Sequence, residues 1–182
     1  MDGKLPRIGP DDAVLFGSFF AIKPSIRPVV GGLLHAAREA GAWIYYDVNF
    51  RKNHIADLPR VLPLAEENMG LADVVRGSTE DFGNLYGLQD GDAIYGRVSP
   101  FCRTFILTDG ARPIRVYTPE GCETFPVPSI ETVSTVGAGD NFNAGYIYAT
   151  LRCLPEPEPA CWPAHRPLFH AGIRLCHRRL GL

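Results

Sequence analysis

The sequence predicts an α/β fold, a doubly wound and mostly parallel sheet with helices on both faces. Short apolar segments alternate along the chain with longer segments whose apolar residues recur at helical spacing. Strands separated by helices pair in parallel, because a crossover connection returns the chain to the same end of the sheet. In such sheets ligands bind outside the carboxyl ends of the strands, which is where functional residues are expected.

Predicted strands and predicted helices alternate along the first 150 residues. The strand segments are short and apolar, whereas the helical segments carry apolar residues three and four positions apart. Gly41 and Gly87 come directly after helical segments and are expected to end them. Strands are predicted at residues 13–17, 43–48, 74–76 and 104–107, helices at 25–40, 58–68, 79–86 and 138–151, and a hairpin at 114–117 and 124–127.

Composition describes one globular domain followed by an unusual segment. Of the 182 residues, 46% are hydrophobic and 21% charged, and the net charge is −2, so neither a nucleic-acid partner nor a membrane partner is expected. The five cysteines form no obvious disulfide framework, and reduced thiols favour a cytoplasmic location. Residues 1–150 are predicted to form the α/β domain. Residues 151–182 are predicted to form a Pro-, Cys-, His- and Arg-rich tail with a terminal helix at 168–180.

Residues 134–145 read Ser-Thr-Val-Gly-Ala-Gly-Asp-Asn-Phe-Asn-Ala-Gly, a tight turn that opens into a helix. The backbone amides of Gly137, Ala138 and Gly139 are unpaired at a helix start, and glycine lets an anion approach closely. Asp140 would repel a passively bound phosphate, but it could take a proton from an attacking hydroxyl. The combination indicates phosphoryl transfer to an alcohol. The alternative is a glycine-rich turn without a ligand.

A second polar group, Asp47, Asn49 and Arg51, lies at the end of the second predicted strand. Alternate spacing places all three side chains on one face if the strand continues. The guanidinium of Arg51 suits a pair of carboxylate or phosphate oxygens, so the group indicates recognition of an acidic or polar ligand. An Asp47–Arg51 pair that only stabilises a loop remains open as the alternative.

Together these motifs resemble those of the ribokinase-like (PfkB) family of sugar kinases. Residues 135–145 resemble its C-terminal signature, with Ser134 where the family usually has an aspartate. Residues 47–51 resemble the DxNxR motif of the fructokinase and ketodeoxygluconate kinase types. Two shorter segments also resemble family motifs, residues 75–81 and the Thr-x-Gly at 108–110. The motifs occur in the family's order along the chain.

The resemblance implies ATP-dependent phosphorylation of a sugar or sugar acid, with Mg²⁺ as cofactor. Asp140 would be the catalytic base, and the amides of residues 137–139 would stabilise the transferring phosphoryl group. Asp47, Asn49 and Arg51 would bind the sugar. The implied nucleotide contacts are Ser78, Thr108, Gly110, Gly137, Gly139 and Asn143, and the implied magnesium-organising acids are Asp81 and Glu80. An N-cap at Ser78 followed by dipole-favourable acids explains residues 78–81 equally well.

The family resemblance also implies features that this chain lacks. Ribokinase-like enzymes carry N-terminal strands and a β-sheet lid ahead of the region that resembles residue 13 onward. Their absence predicts impaired activity and an exposed sheet edge. A non-catalytic nucleotide-binding module and a non-functional fragment of a sugar kinase are therefore the alternative functions. The resemblance leaves open a homodimer for the complete enzyme.

Overall fold

The computed structural model describes residues 6–127 and 136–153, apart from the side chains of Phe19, Arg152 and Cys153. The chain divides into two compact units, Met1–Pro126 and Val127–Leu182. The predicted terminal helix at 168–180 and most of the predicted tail lie outside the described residues, so the domain division at residue 150 stays a prediction. Within the described residues, no helix is both long and apolar enough to cross a membrane.

The first unit is built on a six-stranded sheet in which every strand neighbours the next one along the chain. Strands β1 to β4 pair in parallel, and β5 and β6 extend the sheet as an antiparallel hairpin. The predicted mostly parallel α/β sheet is thereby confirmed. The strands are β1 Ala13–Gly17, β2 Trp43–Asp47, β3 Val74–Ser78, β4 Thr104–Asp109, β5 Arg112–Thr118 and β6 Gly121–Phe125.

Helices separate the parallel strands, as the sequence pattern predicts. Proline at the first turn opens α1 and α2, and left-handed glycines, Gly41 and Gly87, end α1 and α3. The helices are α1 Arg27–Ala40, α2 Leu58–Leu71, α3 Thr79–Tyr86 and α4 Gly91–Val98, with short 3-10 helices at Phe19–Ile22 and Lys52–Asp57. The sequence pattern did not predict α4, because its short span and internal Gly96 give little periodic signal.

The hairpin differs from its prediction at both strands, since β5 spans Arg112–Thr118 where 114–117 was predicted and β6 spans Gly121–Phe125 where 124–127 was predicted. β6 begins at Gly121 instead of residue 124, because Gly121 adopts a φ of 143° and pairs with Thr118. The connection is therefore the two residues Pro119 and Glu120. Glycine permits this backbone conformation at little cost, and the tight turn sets the register of the two strands.

The core lies between the helices α1–α4 and one face of the sheet. Buried residues of α1–α4 and one alternating set of strand residues form a single core cluster, so within residues 6–126 these helices pack on one face of the sheet. The helices on the opposite face that a doubly wound sheet requires are not among α1–α4. The fully buried core includes Leu34, Ile44, Tyr46, Val61, Met69, Val75, Phe82, Ile94 and Phe105. The carboxyl ends of β1 to β4 meet at one edge of this sheet.

At that edge β1 and β2 approach each other unusually closely. A Cβ added to Gly17 would lie 2.2 Å from the backbone oxygen of Asp47, far inside van der Waals contact. The amide of Ser18 also donates to the same oxygen at 3.0 Å. Only glycine fits at position 17 without moving the backbone of β2.

We predict that Gly17→Ala lowers the free energy of unfolding by about 2 kcal/mol, because the backbone of β2 must shift to accept the methyl group. Gly31→Ala in α1 is the matched control, since a Cβ there meets nothing within 4 Å. The control should raise stability by up to about 1 kcal/mol, as alanine favours helix. Urea unfolding of both variants measures the difference. Equal effects would contradict the close approach.

Candidate functional site at the carboxyl edge of the sheet

An ion pair joins the ends of β2 and β3 at this edge. Arg76 Nη1 donates to Asp47 Oδ1 at 3.1 Å, and Arg76 Nη2 donates to Thr108 Oγ1 at 2.8 Å. The register of the parallel strands explains the contact, because Asp47 and Arg76 are directly paired positions. One guanidinium therefore ties together the ends of three neighbouring strands, β2, β3 and β4.

Both charges of this pair are buried, with Arg76 8% exposed and Asp47 6% exposed. A buried charge is tolerated only when it is paired and hydrogen-bonded, so the two side chains depend on each other. Sequence analysis missed Arg76 as a site residue. The available signal was a single cation inside an otherwise apolar strand pattern, but its partner is far away in sequence.

The segment after β2 departs from its predicted geometry. β2 ends at Asp47, and Asn49 has a φ of 36°, so the alternation of side chains stops there. The expectation that a continuing strand carries Asp47, Asn49 and Arg51 on one face is therefore wrong. Arg51 Nε donates to Asn49 Oδ1 at 2.7 Å, while Asp47 pairs with Arg76 instead of Arg51. Arg51 is exposed, and its terminal nitrogens bond to none of the described residues.

Ser78 and Asp81 form a capping box at the start of α3. Ser78 Oγ accepts from the amide of Asp81 at 3.1 Å, and Asp81 Oδ2 accepts from the amide and the hydroxyl of Ser78, both at 2.7 Å. Burial raises the pKa of the Asp81 carboxyl above its ordinary value of 3.8, against the lowering effect of the Ser78 hydrogen bonds. The interpretation of Ser78 as the N-cap of this helix is confirmed.

The same geometry bears on the predicted magnesium role of residues 80 and 81. Asp81 is 6% exposed and Glu80 is exposed, so the two acids do not converge. In the described part of the chain, no group of three or more His, Cys, Asp or Glu side chains could hold a metal ion. Asp81 and Glu80 therefore belong to no such group in the described residues, and their role around a metal ion stays a prediction.

Thr108 and Gly110 lie at the turn from β4 to β5. Thr108 accepts from Arg76 and lies near the carbonyl oxygen of Gly77, at 3.4 Å. Gly110 has a φ of 56° at an exposed turn, a conformation that glycine adopts easily. The structure thus brings Thr108 beside Asp47 through their shared partner, Arg76.

The remaining predicted residues lie in the second unit, on α5, Ala138–Cys153. Gly137 has a φ of 78°, and its carbonyl accepts the first helical hydrogen bond from the amide of Asn141 at 2.9 Å. The predicted tight turn that opens into a helix is confirmed. Ala138 and Asp140 are exposed in the first turn, whereas Asn143 is only 3% exposed.

Comparison with known proteins agrees with this fold and these motifs. The model of a family described as pfkB family carbohydrate kinase matches residues 5–159 of the 182. The chain therefore belongs to the pfkB family of carbohydrate kinases.

Curated relatives share this family. The chain is 33% identical to a fructokinase of Rhizobium leguminosarum bv. trifolii over 81% of its own length and 45% of the relative. It is 30% identical to the aminoimidazole riboside kinase of Salmonella typhimurium, over 79% of its own length and 44% of the relative. The chain thus spans about half the length of these relatives.

Solved structures resemble the fold. The aminoimidazole riboside kinase of Salmonella enterica superposes with a TM-score of 0.81 at 24% identity, covering 94% of this chain and 56% of that one. A fructokinase of Vibrio cholerae O395 superposes with a TM-score of 0.78 at 20% identity, covering 95% of this chain and 53% of that one. At such identities the likeness establishes a shared fold, the ribokinase-like α/β architecture that the sequence predicts.

We predict that Arg76→Gln and Asp47→Asn each lower the free energy of unfolding by about 3 kcal/mol, because each leaves a buried charge without its partner. The double variant should lose less than the sum of the two, as neither charge then remains. Arg112→Gln is the control, since its pair with Asp109 is on the surface and its side chain is 76% exposed. That change should cost less than about 1 kcal/mol in urea unfolding. Additive losses would contradict the pairing.

We predict that Asp81→Asn becomes progressively more stable than the wild type as pH rises from 3.8, the ordinary pKa of this carboxyl, through its raised pKa in the folded state. The raised pKa of Asp81 means that the folded state holds a proton that the unfolded state releases. Stability from this group is therefore present at low pH and is lost as pH rises through the folded pKa. Asparagine keeps an oxygen for the Ser78 amide without a buried charge. Urea unfolding across the pH range measures the difference, and a constant difference would count against it.

Proposed function

We propose that the protein transfers a phosphoryl group from ATP to a hydroxyl of a sugar or sugar acid. The observation that carries this proposal is membership of the pfkB carbohydrate kinase family over residues 5–159, which includes the turn at Gly137 and the first turn of α5. Similar proteins support the same activity, since two relatives are a fructokinase and an aminoimidazole riboside kinase.

In this proposal Asp140 takes the proton from the acceptor hydroxyl. Its exposed carboxylate in the first turn of α5 is accessible to a ligand, and a carboxylate serves this role in phosphoryl transfer. The amides that follow Gly137 have no helical partner, so they can stabilise negative charge on the transferred group. Gly137 and Gly139 carry no side chain that would keep a phosphate from this backbone.

The acceptor would be held at the carboxyl edge of the sheet. Arg51 has its Nε occupied by Asn49, which orients the guanidinium and leaves two terminal nitrogens for a ligand. Those nitrogens suit a sugar carboxylate or a sugar hydroxyl pair. Asp47 would act indirectly, because it pairs with Arg76 and so sets the position from which the segment 48–51 departs. Fructose-like ketoses and keto-deoxy sugar acids are the proposed substrate class.

The nucleotide would contact Ser78, Thr108, Gly110, Gly137, Gly139 and Asn143. Solved relatives support a nucleotide ligand, since one is complexed with aminoimidazole riboside and an ATP analogue and another is bound to fructose, ADP and potassium ion. Mg²⁺, when bound, would neutralise charge on the phosphate oxygens. Asp81, and Glu80 beside it, would orient water around the ion without coordinating it directly.

Two further expectations remain proposals. Cytoplasmic location is favoured by the described thiols, the buried Cys102 and the exposed Cys122, which are both free. A homodimer of the complete enzyme is compatible with the family but rests on the resemblance alone.

We predict that Gly139→Val abolishes MgATP binding, whereas Asp140→Asn preserves binding and lowers phosphoryl transfer to fructose about a hundredfold or more. Valine would block the approach of phosphate to the backbone, and asparagine cannot accept the proton. Titration calorimetry with MgATP and coupled-enzyme turnover provide the two measurements.

Matched controls are available for both changes. Gly70→Val alters an exposed helical glycine whose added Cβ meets nothing within 4 Å, and Asp11→Asn alters an exposed carboxylate. Both controls should bind and turn over like the wild type. Binding without turnover in the wild type would favour a nucleotide-binding module over a kinase. Undiminished turnover by Asp140→Asn would remove Asp140 as the base.

A further inference from the structure

Two non-glycine residues of the described chain have positive φ, and both lie at the functional edge of the sheet. Ser18, directly after β1, has φ 64° and ψ 178°, and Asn49, just after β2, has φ 36°. β1 and β2 are neighbouring parallel strands. Such backbone conformations are costly for residues with a Cβ, and they concentrate at functional sites.

The strain at Ser18 is greater than that at Asn49. Its φ and ψ fall in a region that is essentially restricted to glycine, whereas asparagine enters the left-handed region readily. The surrounding backbone enforces the conformation. The Ser18 amide donates to the Asp47 oxygen at 3.0 Å, and the Ser18 carbonyl accepts from the amide of Ala21 at 3.2 Å.

The hydroxyl of Ser18 has no structural task that explains the strain. Serine often precedes a helix because its side chain caps the free amides, but Ser18 makes no such bond to the 3-10 helix Phe19–Ile22. Its hydroxyl bonds to no other side chain or backbone group in the described residues. Ser18 is half-buried, so the residue is partly accessible to solvent. Glycine would adopt this backbone conformation at a lower cost than serine.

We propose that Ser18 is a further residue of the acceptor site and hydrogen-bonds a hydroxyl of the polyhydroxy substrate. This inference rests on the proposed function and adds a contact from β1 to those from β2. A serine hydroxyl both donates and accepts, as a sugar hydroxyl does, so the two are chemically matched. Asn49 complements it, because its Oδ1 is occupied by Arg51 while its amide nitrogen can donate to the same ligand.

The test compares Ser18→Gly, Ser18→Ala and the control Ser25→Gly in the full protein. Ser18→Gly relieves the strain and removes the hydroxyl, so its melting temperature should exceed that of Ser18→Ala by about 2–4 °C. Both Ser18 variants should raise the KM for fructose about three- to tenfold, the loss expected for one hydrogen bond, with the KM for ATP unchanged. Ser25→Gly changes an exposed residue, so it should alter neither the KM for fructose nor the backbone strain at Ser18.

Opposite changes in stability and sugar affinity in Ser18→Gly support the inference, because a merely structural serine would lower both together. An unchanged KM for fructose and for aminoimidazole riboside in both Ser18 variants overturns it. A lower melting temperature for Ser18→Gly than for Ser18→Ala also overturns it. A wild-type protein without sugar-dependent turnover rejects the proposed function itself, and this inference with it. The two failures are distinguishable, because turnover by the wild-type protein is measured before any Ser18 variant is made.

Discussion

The buried pair between Asp47 and Arg76 is the interaction on which the candidate site depends. Charges removed from water must be compensated within the protein, so the pair can exist only while the ends of β2 and β3 stay in register. Because Arg76 also bonds Thr108, the end of β4 is included in the same constraint. The segments that leave these strands therefore start from fixed positions.

That constraint separates supporting residues from residues available to ligands. Asp47, Arg76 and Asp81 are buried, and each is hydrogen-bonded to another residue of the fold. Asn49 and Arg51 lie beyond the end of β2, with Arg51 exposed and oriented by a single bond. Binding residues commonly sit on short loops above a rigid scaffold, which is the position of the two side chains proposed to bind the acceptor.

The capping box at α3 illustrates how one residue can satisfy two interpretations. Ser78 and Asp81 close the first turn of the helix, which accounts for their sequence pattern without any ligand. Burial also raises the pKa of the Asp81 carboxyl above its ordinary value. Structural capping and an outer role around a metal ion are compatible, because the cap uses Oδ2 alone.

The sequence by itself determined the class of fold, most element positions and the turn that opens α5. These follow from local signals: apolar periodicity, glycine at helix ends, and a glycine-rich turn before a helix. It did not reveal α4, the start of β6, the end of β2 at Asp47, or the role of Arg76. The tertiary structure decided these features. The contact of Arg76 with Asp47, and the positive φ of Ser18 beside them, arise only when distant strands align in register, and no local pattern encodes that alignment.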